Sequence, residues 1–152
     1  MKVTEKKMNS FLMFKLPSAY LCGVRLQKIT KTSANVTVKH RWINQNPFNS
    51  MYFAVQSMAA ELTTGALVIA KIKESGKNIS LLVTNHQGAF TKKATGKITF
   101  ICEDGHLIDD AIKKTIETGE GQTILMNSIG KNEQKETVST YSFEWSIKLK
   151  TK

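Results

Sequence analysis

A single carboxylate, Glu61, lies in a long segment that is otherwise free of charge. The 28 residues from Ile43 to Ala70 contain no other Asp, Glu, Lys or Arg, although the chain of 152 residues has 34 of them. A carboxylate that packing removes from water has a raised pKa and can act as a general base or a general acid. At 100° per residue, Glu61 shares a helix face with small, weakly polar residues: Ser50, Ala54, Ser57 and Thr64. The structural alternative is a Glu61 that hydrogen-bonds to Ser57, one turn earlier, or to a partner chain.

The element that carries Glu61 is predicted to be a buried helix from about Ser50 to Thr64. It follows a polar turn, NQNPFN, and precedes a break at Gly65 and a strand, ALVIAKI. The N–H groups at a helix N-terminus can bind an anion or a developing oxyanion. Asn49 or Ser50 would also simply cap this helix. An apolar stripe should pack on a sheet: Met51, Val55, Met58, Ala59 and Leu62. The side chains in the stripe that holds Glu61 are small and weakly polar, whereas a solvent-facing stripe would carry many Lys and Glu. This composition predicts that the stripe contacts a second subunit.

The remaining pattern predicts one α+β domain over residues 1–152. A helix around Met8–Leu16 ends at Pro17, and a second amphipathic helix lies between Asp104 and Gly119 with Leu107 among its inward residues. An early strand is expected around Val24 and Leu26, and the next has Val36, Val38, His40 and Trp42 on one face. Further strands are expected near Ile79–Thr84, Lys97–Cys102, Gln122–Ile129 and Val138–Leu149.

Metal and nucleotide chemistry find no support in the sequence. The histidines lack metal-ligand spacing: His40 is predicted in a strand, His86 in a turn and His106 at a helix start. The GxSxG, GxGxxG and GxxxxGK[ST] motifs are absent. Cys22 and Cys102 are too few and too far apart for a disulfide scaffold. We therefore expect no metal.

The net charge of +10 has a limited meaning, because 20 of the 22 basic residues are Lys and they are spread along the chain. A nucleic-acid-binding protein would favour Arg and a clustered basic face. Lys92 and Lys93 could meet a phosphate, or they could form an ordinary solvated turn. The start of the chain is not a secretory signal, and polar residues interrupt the apolar segment before it could span a membrane. We expect a cytoplasmic protein with no nucleic-acid partner.

The stretch RWINQNPFNSMYFAVQSMAAELTTG, from Arg41 to Gly65, resembles the core of the hotdog-fold acyl-CoA thioesterases. It looks closest to the DUF4442 branch, which is similar to phenylacetate-pathway-type thioesterases. The segment FTKKATGKITF, from Phe90 to Phe100, resembles their strand, basic turn and strand. The resemblance covers roughly residues 5 to 150. It implies an α+β hotdog fold, with a long central helix wrapped by a five- to six-stranded, mostly antiparallel sheet.

The resemblance also implies a site and a reaction. Relatives open the helix with His-Gly-Gly, a position that Phe48-Asn49-Ser50 holds here, so the N–H of Asn49 or Ser50 would polarise the thioester carbonyl. Relatives place the catalytic Asp or Glu where this chain has Ser57, and often a Ser or Thr where it has Glu61. The carboxylate and the hydroxyl are thus exchanged, about 6 Å apart on one helix face.

The implied function is hydrolysis of acyl-CoA thioesters, with Glu61 as base or nucleophile. The substrate would be bound by Asn46, Ser57, Lys92 and Lys93. Coenzyme A enters as part of the substrate, so no cofactor is expected. The site would lie at the interface between subunits of a homodimer or of a dimer of dimers. The alternative is a non-catalytic module that binds acyl-CoA or a fatty acyl ligand in the same tunnel.

Overall fold

Four helices and six strands make up residues 3–150, the part of the chain that the computed structural model describes. The helices are α1 (Glu5–Lys15), α2 (Pro17–Leu21), α3 (Phe53–Ser75) and α4 (His106–Thr118), with a short 3₁₀ helix at Trp42–Asn44. The strands are β1 (Arg25–Ile29), β2 (Ala34–Lys39), β3 (Ile79–Phe90), β4 (Lys97–Cys102), β5 (Gln122–Lys131) and β6 (Thr137–Leu149).

The strands form one sheet in the order β1-β2-β4-β5-β6-β3, and every neighbouring pair is antiparallel. The sheet curves around α3, which contacts β1, β2, β4, β5 and β6. β1 and β3 are the two edge strands. This arrangement confirms the predicted α+β architecture of a long central helix wrapped by an antiparallel sheet.

Buried hydrogen bonds join α3 to the inner face of the sheet and account for part of its small polar stripe. The indole Nε1 of Trp145 donates to the Thr64 hydroxyl at 2.9 Å, and the Thr63 hydroxyl donates to that of Ser128 at 2.9 Å. These side chains are all buried. Rotation of α3 relative to the sheet would break these bonds and leave buried hydroxyls unpaired, which is costly. The bonds therefore help to fix the orientation of the helix.

The predicted break in α3 at Gly65 is wrong, and so is the strand that was expected after it. The helix continues to Ser75 and ends at Gly76, which has a φ of 65°. Gly65 is required for close packing instead: a Cβ there would lie 3.2 Å from two atoms of the Trp145 indole. With its length and apolarity α3 could span a bilayer, but most of it is buried inside the sheet.

Other local expectations also need correction. Trp42 was placed on the inward face of a strand, but β2 ends at Lys39 and the Trp42 side chain is 82% exposed. His86 was placed in a turn, but β3 extends to Phe90 and holds His86 in its middle. Leu107 was expected to face inward in α4 and is 41% exposed, because the three buried apolar residues of α4 are Ile108, Ala111 and Ile112.

Candidate active site

Asn46 organises the loop that leads into α3. Its Oδ1 accepts the amide N–H groups of Phe48 at 2.9 Å and Ser50 at 3.3 Å, and its Nδ2 donates to the Ser50 hydroxyl at 3.0 Å. Asn49 has a φ of 57°, a left-handed conformation that Asn tolerates better than most residues. The Asn46 side chain therefore shapes the tip of the loop at Phe48 and Asn49.

The free amides at the start of α3 belong to Phe53 and Ala54. The helix begins at Phe53, three residues later than the sequence predicted, because Ser50 is buried and bonded to Asn46 and does not cap the helix. The N–H groups of Asn49 and Ser50 donate to Asn46. Tyr52, the N-cap residue, makes no side-chain capping bond. Within the described residues, no acceptor faces the N–H of Phe53 or Ala54, which leaves two donors at the positive end of the helix dipole.

Ser57 faces the first turn of α3 and the sheet. Its hydroxyl lies 3.1 Å from the Phe53 carbonyl oxygen and 3.3 Å from the hydroxyl of Tyr141 on β6. The Tyr141 hydroxyl donates to the same Phe53 carbonyl at 3.3 Å. Burial raises the pKa of Tyr141, so its hydroxyl stays protonated at neutral pH. Tyr141 was not identified from the sequence as a site residue. The one feature in the sequence that could have indicated it is a hydroxyl group among the inward aromatic residues of β6.

The Glu61 carboxylate lies one turn beyond Ser57 and is poorly solvated. Burial raises its pKa to about 7. In the described part of the chain it makes no hydrogen bond or salt bridge, so the bond to Ser57 that the structural alternative required is absent. Its Oε1 would be 3.0 Å from a Cβ on Gly65, beside the Trp145 ring. Near neutral pH this carboxyl exists in both protonation states, as a general base requires.

A cleft of about 690 Å³ opens beside the N-terminus of α3. Aromatic rings of Tyr52, Phe53 and Phe90 form part of its wall, with Phe53 and Phe90 packed edge to face at 6.3 Å. Four of the predicted site residues also line the cleft: Asn46, Ser50, Lys92 and Lys93. Asn49, Ser57 and Glu61 are not part of its wall. The cleft thus combines an apolar wall with cationic side chains near the free amides.

The two cleft lysines differ in their contacts. The Lys92 ammonium pairs with the Glu136 carboxylate. Lys93 donates to the Phe48 carbonyl oxygen at 3.0 Å and has no acidic partner among the described residues. Both side chains belong to exposed residues. Lys93 is therefore the cation that is more available to an anionic ligand.

The free amides and Glu61 belong to the same helix. Ala54 and Glu61 are seven positions apart in α3, a rise of about 10.5 Å along the helix axis. The amide donors and the carboxylate are therefore about two helical turns apart.

The remaining sequence candidates lie elsewhere. The Nε2 atom of His40 is buried with no hydrogen-bond partner, and His86 stacks on Phe143 at 5.8 Å between ring centroids. Cys22 and Cys102 are free thiols. Among residues 3–150 no cluster of His, Cys, Asp or Glu could hold a metal ion.

Gly65 links the packing of α3 to the position of Glu61 and provides a test of the geometry. We expect Gly65→Val to lower the free energy of unfolding by about 2 kcal/mol, because the branched side chain meets both the Trp145 indole and the Glu61 carboxylate. Lys73→Val, on the exposed end of α3, is the control and should cost only about 0.5 kcal/mol of helix propensity. Urea denaturation measures both, and equal losses for the two variants would contradict the observed packing.

Comparison with known families assigns the chain. The model of the domain of unknown function DUF4442 matches residues 4–147, nearly the whole sequence. The chain belongs to the DUF4442 family. The comparison of this DUF4442 protein with curated proteins found no match.

Solved structures similar to this DUF4442 protein include several thioesterases. A Pseudomonas aeruginosa protein, described as of unknown function and a probable thioesterase, is 19% identical, with 99% of each chain covered and a TM-score of 0.83. A thioesterase from Haemophilus influenzae is 12% identical, with 98% of this chain and 93% of that chain covered and a TM-score of 0.76. At these identities, the similarity shows the hotdog fold of this DUF4442 protein.

Proposed function

We propose that this protein hydrolyses acyl-CoA thioesters as a homodimer. The observation that carries the proposal is the unpaired, desolvated carboxylate of Glu61, two helical turns from the free amides of Phe53 and Ala54. Packing removes this half-buried carboxylate from water without giving it a hydrogen-bond partner in the described chain, and the raised pKa that results suits a general base. The thioesterases among structures of the same fold support this choice of reaction.

In the proposed mechanism, the N-terminus of α3 polarises the thioester and Glu61 supplies the base. The carbonyl oxygen accepts from the amides of Phe53 and Ala54, which replace those of Asn49 and Ser50 as the proposed donors because the latter two bind Asn46. Ionised Glu61 takes a proton from water as the water oxygen attacks the carbonyl carbon. The oxyanion of the tetrahedral intermediate is stabilised by the same amides. When the C–S bond breaks, the Glu61 carboxylic acid returns the proton, and CoA leaves as the thiol.

Ser57 and Tyr141 position the proposed donor amides. Their hydroxyls share the Phe53 carbonyl, so they fix the first turn of α3 from which the donor amides project. Glu61 acting as a nucleophile, which would form a mixed anhydride with the acyl group, remains the second route. Both routes need an ionised Glu61, and both lose it when the carboxylate is replaced by an amide.

The β3 edge supports a dimer. This strand has 12 residues and pairs only with β6, and the side chains from Thr84 to Phe90 are all exposed in the single chain. A long, exposed edge strand is a template for pairing with another chain. We propose that two copies join their β3 strands about a two-fold axis. The partner would then cover the half-buried α3 residues Ala54, Ser57 and Glu61.

The cleft lysines are proposed to bind the phosphates of CoA. We expect Lys92→Glu/Lys93→Glu to weaken CoA binding by about tenfold or more at low salt, because two attractive charges become repulsive. Binding of the free fatty acid should change less. Isothermal titration with CoA and with the free acid at 50 mM and 500 mM NaCl measures both effects.

The control for the lysine variant is Lys113→Glu/Lys114→Glu, which changes the net charge equally on exposed positions of α4. If this control weakens CoA binding as much as the cleft variant does, the attraction is general and the phosphate site does not exist. An unchanged affinity of the cleft variant would likewise place Lys92 and Lys93 outside the binding site.

The reaction itself is tested by the release of free thiol from short-, medium- and long-chain acyl-CoA and from aryl-CoA. We expect saturable turnover of at least one class. The competing function, sequestration of acyl-CoA, is favoured by the absence of the His-Gly-Gly triplet and by Ser57 in place of a carboxylate. It predicts stoichiometric binding with no thiol release from any member of the panel, and that result would refute the hydrolase.

A further inference from the structure

The edge of the molecule opposite β3 exposes an unusual number of large apolar side chains. This N-terminal edge consists of α1, α2, β1, β2 and the 3₁₀ helix. Trp42 is 82% exposed, Phe14 is 75% exposed and Leu21 is 63% exposed. Four further large apolar residues on the same edge are also exposed: Phe11, Met13, Leu16 and Ile43. Such side chains usually mark an interaction surface when they lie together.

Phe14 projects directly away from the core. The inner face of α1 is fixed by buried Met8 and Leu12 and by Asn9, whose side chain exchanges two 2.9 Å hydrogen bonds with the backbone of Leu26. At 100° per residue, Phe14 lies on the opposite side of the helix, in line with Lys7. The outer face of α1 therefore presents an aromatic ring and a cation to solvent.

The 3₁₀ helix, which carries Trp42, lies beside the end of α2, which carries Leu21. The side-chain amide of Asn44 donates to the carbonyl oxygens of Cys22 and Lys39, both at 2.9 Å. The Arg41 guanidinium lies against Gly23, where a Cβ would be 2.5 Å from it. These contacts hold the 3₁₀ helix beside the end of α2, and α1 packs on α2 and β1, so the exposed side chains belong to neighbouring elements.

The same part of the chain has a single acidic residue, Glu5 at the start of α1. Residues 6–60 contain eight Lys or Arg and no Asp or Glu. None of the salt bridges in the described structure involves these eight cations. The lysines of the whole chain are spread evenly but the acids are not, so residues 5–44 carry eight cations and one acid, Glu5.

We propose that the N-terminal edge docks onto an anionic lipid bilayer. Aromatic side chains such as Trp42 and Phe14 favour the headgroup region, and lysines beside them are attracted to anionic lipids. Shallow insertion of apolar side chains and attraction of lysines to anionic headgroups together give reversible surface binding without a membrane span. In the sheet order, β1 and β3 are opposite edges, so docking leaves the β3 edge free. The proposal is therefore independent of the proposed dimer and of hydrolysis.

Two other occupants fit the surface less well. A two-fold contact of this edge with a second copy would place two surfaces with an excess of positive charge against each other and repel them. Nucleic acid would account for the charge but not for the exposed Leu21 and Met13, since phosphates gain nothing from aliphatic side chains.

The test is co-sedimentation of the full chain with vesicles of phosphatidylcholine and phosphatidylserine at 70:30, and with pure phosphatidylcholine. We expect binding to the anionic vesicles, weaker binding in 0.5 M NaCl, and little binding to the neutral ones. Phe14→Ser/Leu21→Ser/Trp42→Ser should lower the partition coefficient by about tenfold or more. Lys7→Gln and Lys15→Gln should each lower it about fivefold.

A matched control removes exposed apolar residues from the outer face of β5, where Leu125 is 57% exposed and Ile129 is 40% exposed. Leu125→Ser/Ile129→Ser should bind vesicles as the unaltered chain does. The proposal fails if the unaltered chain does not bind anionic vesicles at low salt, or if the Phe14, Leu21 and Trp42 variant binds equally well. It also fails if that variant loses self-association in sedimentation without lipid, since the surface would then be a protein interface.

Discussion

Glu61→Gln is expected to abolish most of the thioesterase activity while leaving the protein folded. The substitution keeps the volume of the side chain but removes its basicity, so the rate of thiol release should fall by about a hundredfold or more at pH 8. Glu74→Gln, on the exposed end of the same helix, is the matched control and should retain the full rate. If Glu61→Gln keeps most of the rate at equal stability, Glu61 is neither the base nor the nucleophile.

The same substitution should stabilise the protein in a pH-dependent way. The pKa of Glu61 is raised to about 7 in the folded protein, so the folded state holds a proton that the unfolded state has lost between about pH 4.5 and 7. Stability from this group therefore falls as the pH rises through that window. Glu61→Gln removes the cost of the buried charge. We expect on the order of 2 kcal/mol of added stability at pH 8 and little change at pH 5.

The second large effect is expected at the β3 edge. Leu82 and Gln87 are exposed and lie opposite Ser146 and Ser142 of β6. Leu82→Lys/Gln87→Lys places like charges on both copies of a self-paired strand, which should weaken dimerisation by about a hundredfold or more. The single chain should stay folded, because both positions are exposed. Analytical ultracentrifugation at micromolar concentration measures the dissociation constant, and activity should fall with the dimer fraction.

Thr123→Lys/Leu125→Lys is the matched control for the edge variant. It adds the same charge to exposed positions of β5, which is separated from the β3 edge by β6. This control should remain dimeric. A dimer that survives the β3 substitutions but not those in β5 would place the interface on the outer face of the sheet. A stable monomer of the unaltered chain at micromolar concentration would remove the proposed interface.

Much of the fold could be predicted from the sequence because its periodic patterns are strong. In β6, Tyr141, Phe143, Trp145 and Ile147 alternate with polar residues in the sequence, and all four are buried. Gly65 misled the prediction because the reason for a glycine there is tertiary. The close approach of Trp145, some 80 positions further along the chain, cannot be inferred from local helix propensity.

The candidate site was predicted less completely than the fold. Glu61 stood out because it is the only charge in its segment, and its raised pKa agrees with the desolvation expected there. The start of α3 depended on side-chain bonds that sequence cannot specify. Because Asn46 binds the amides of Asn49 and Ser50, the free donors move to Phe53 and Ala54. Their roles in catalysis stay predictions.

The pH dependence of thiol release tests the central claim most directly. We propose to measure kcat/KM of the unaltered protein from pH 5 to 9 with the best acyl-CoA of the panel. The proposed role of Glu61 predicts a rate that rises with pH, has its midpoint near pH 7 and is level above it, since only the ionised carboxylate accepts a proton from water. A flat profile, or tight binding of acyl-CoA without thiol release at any pH, would contradict it.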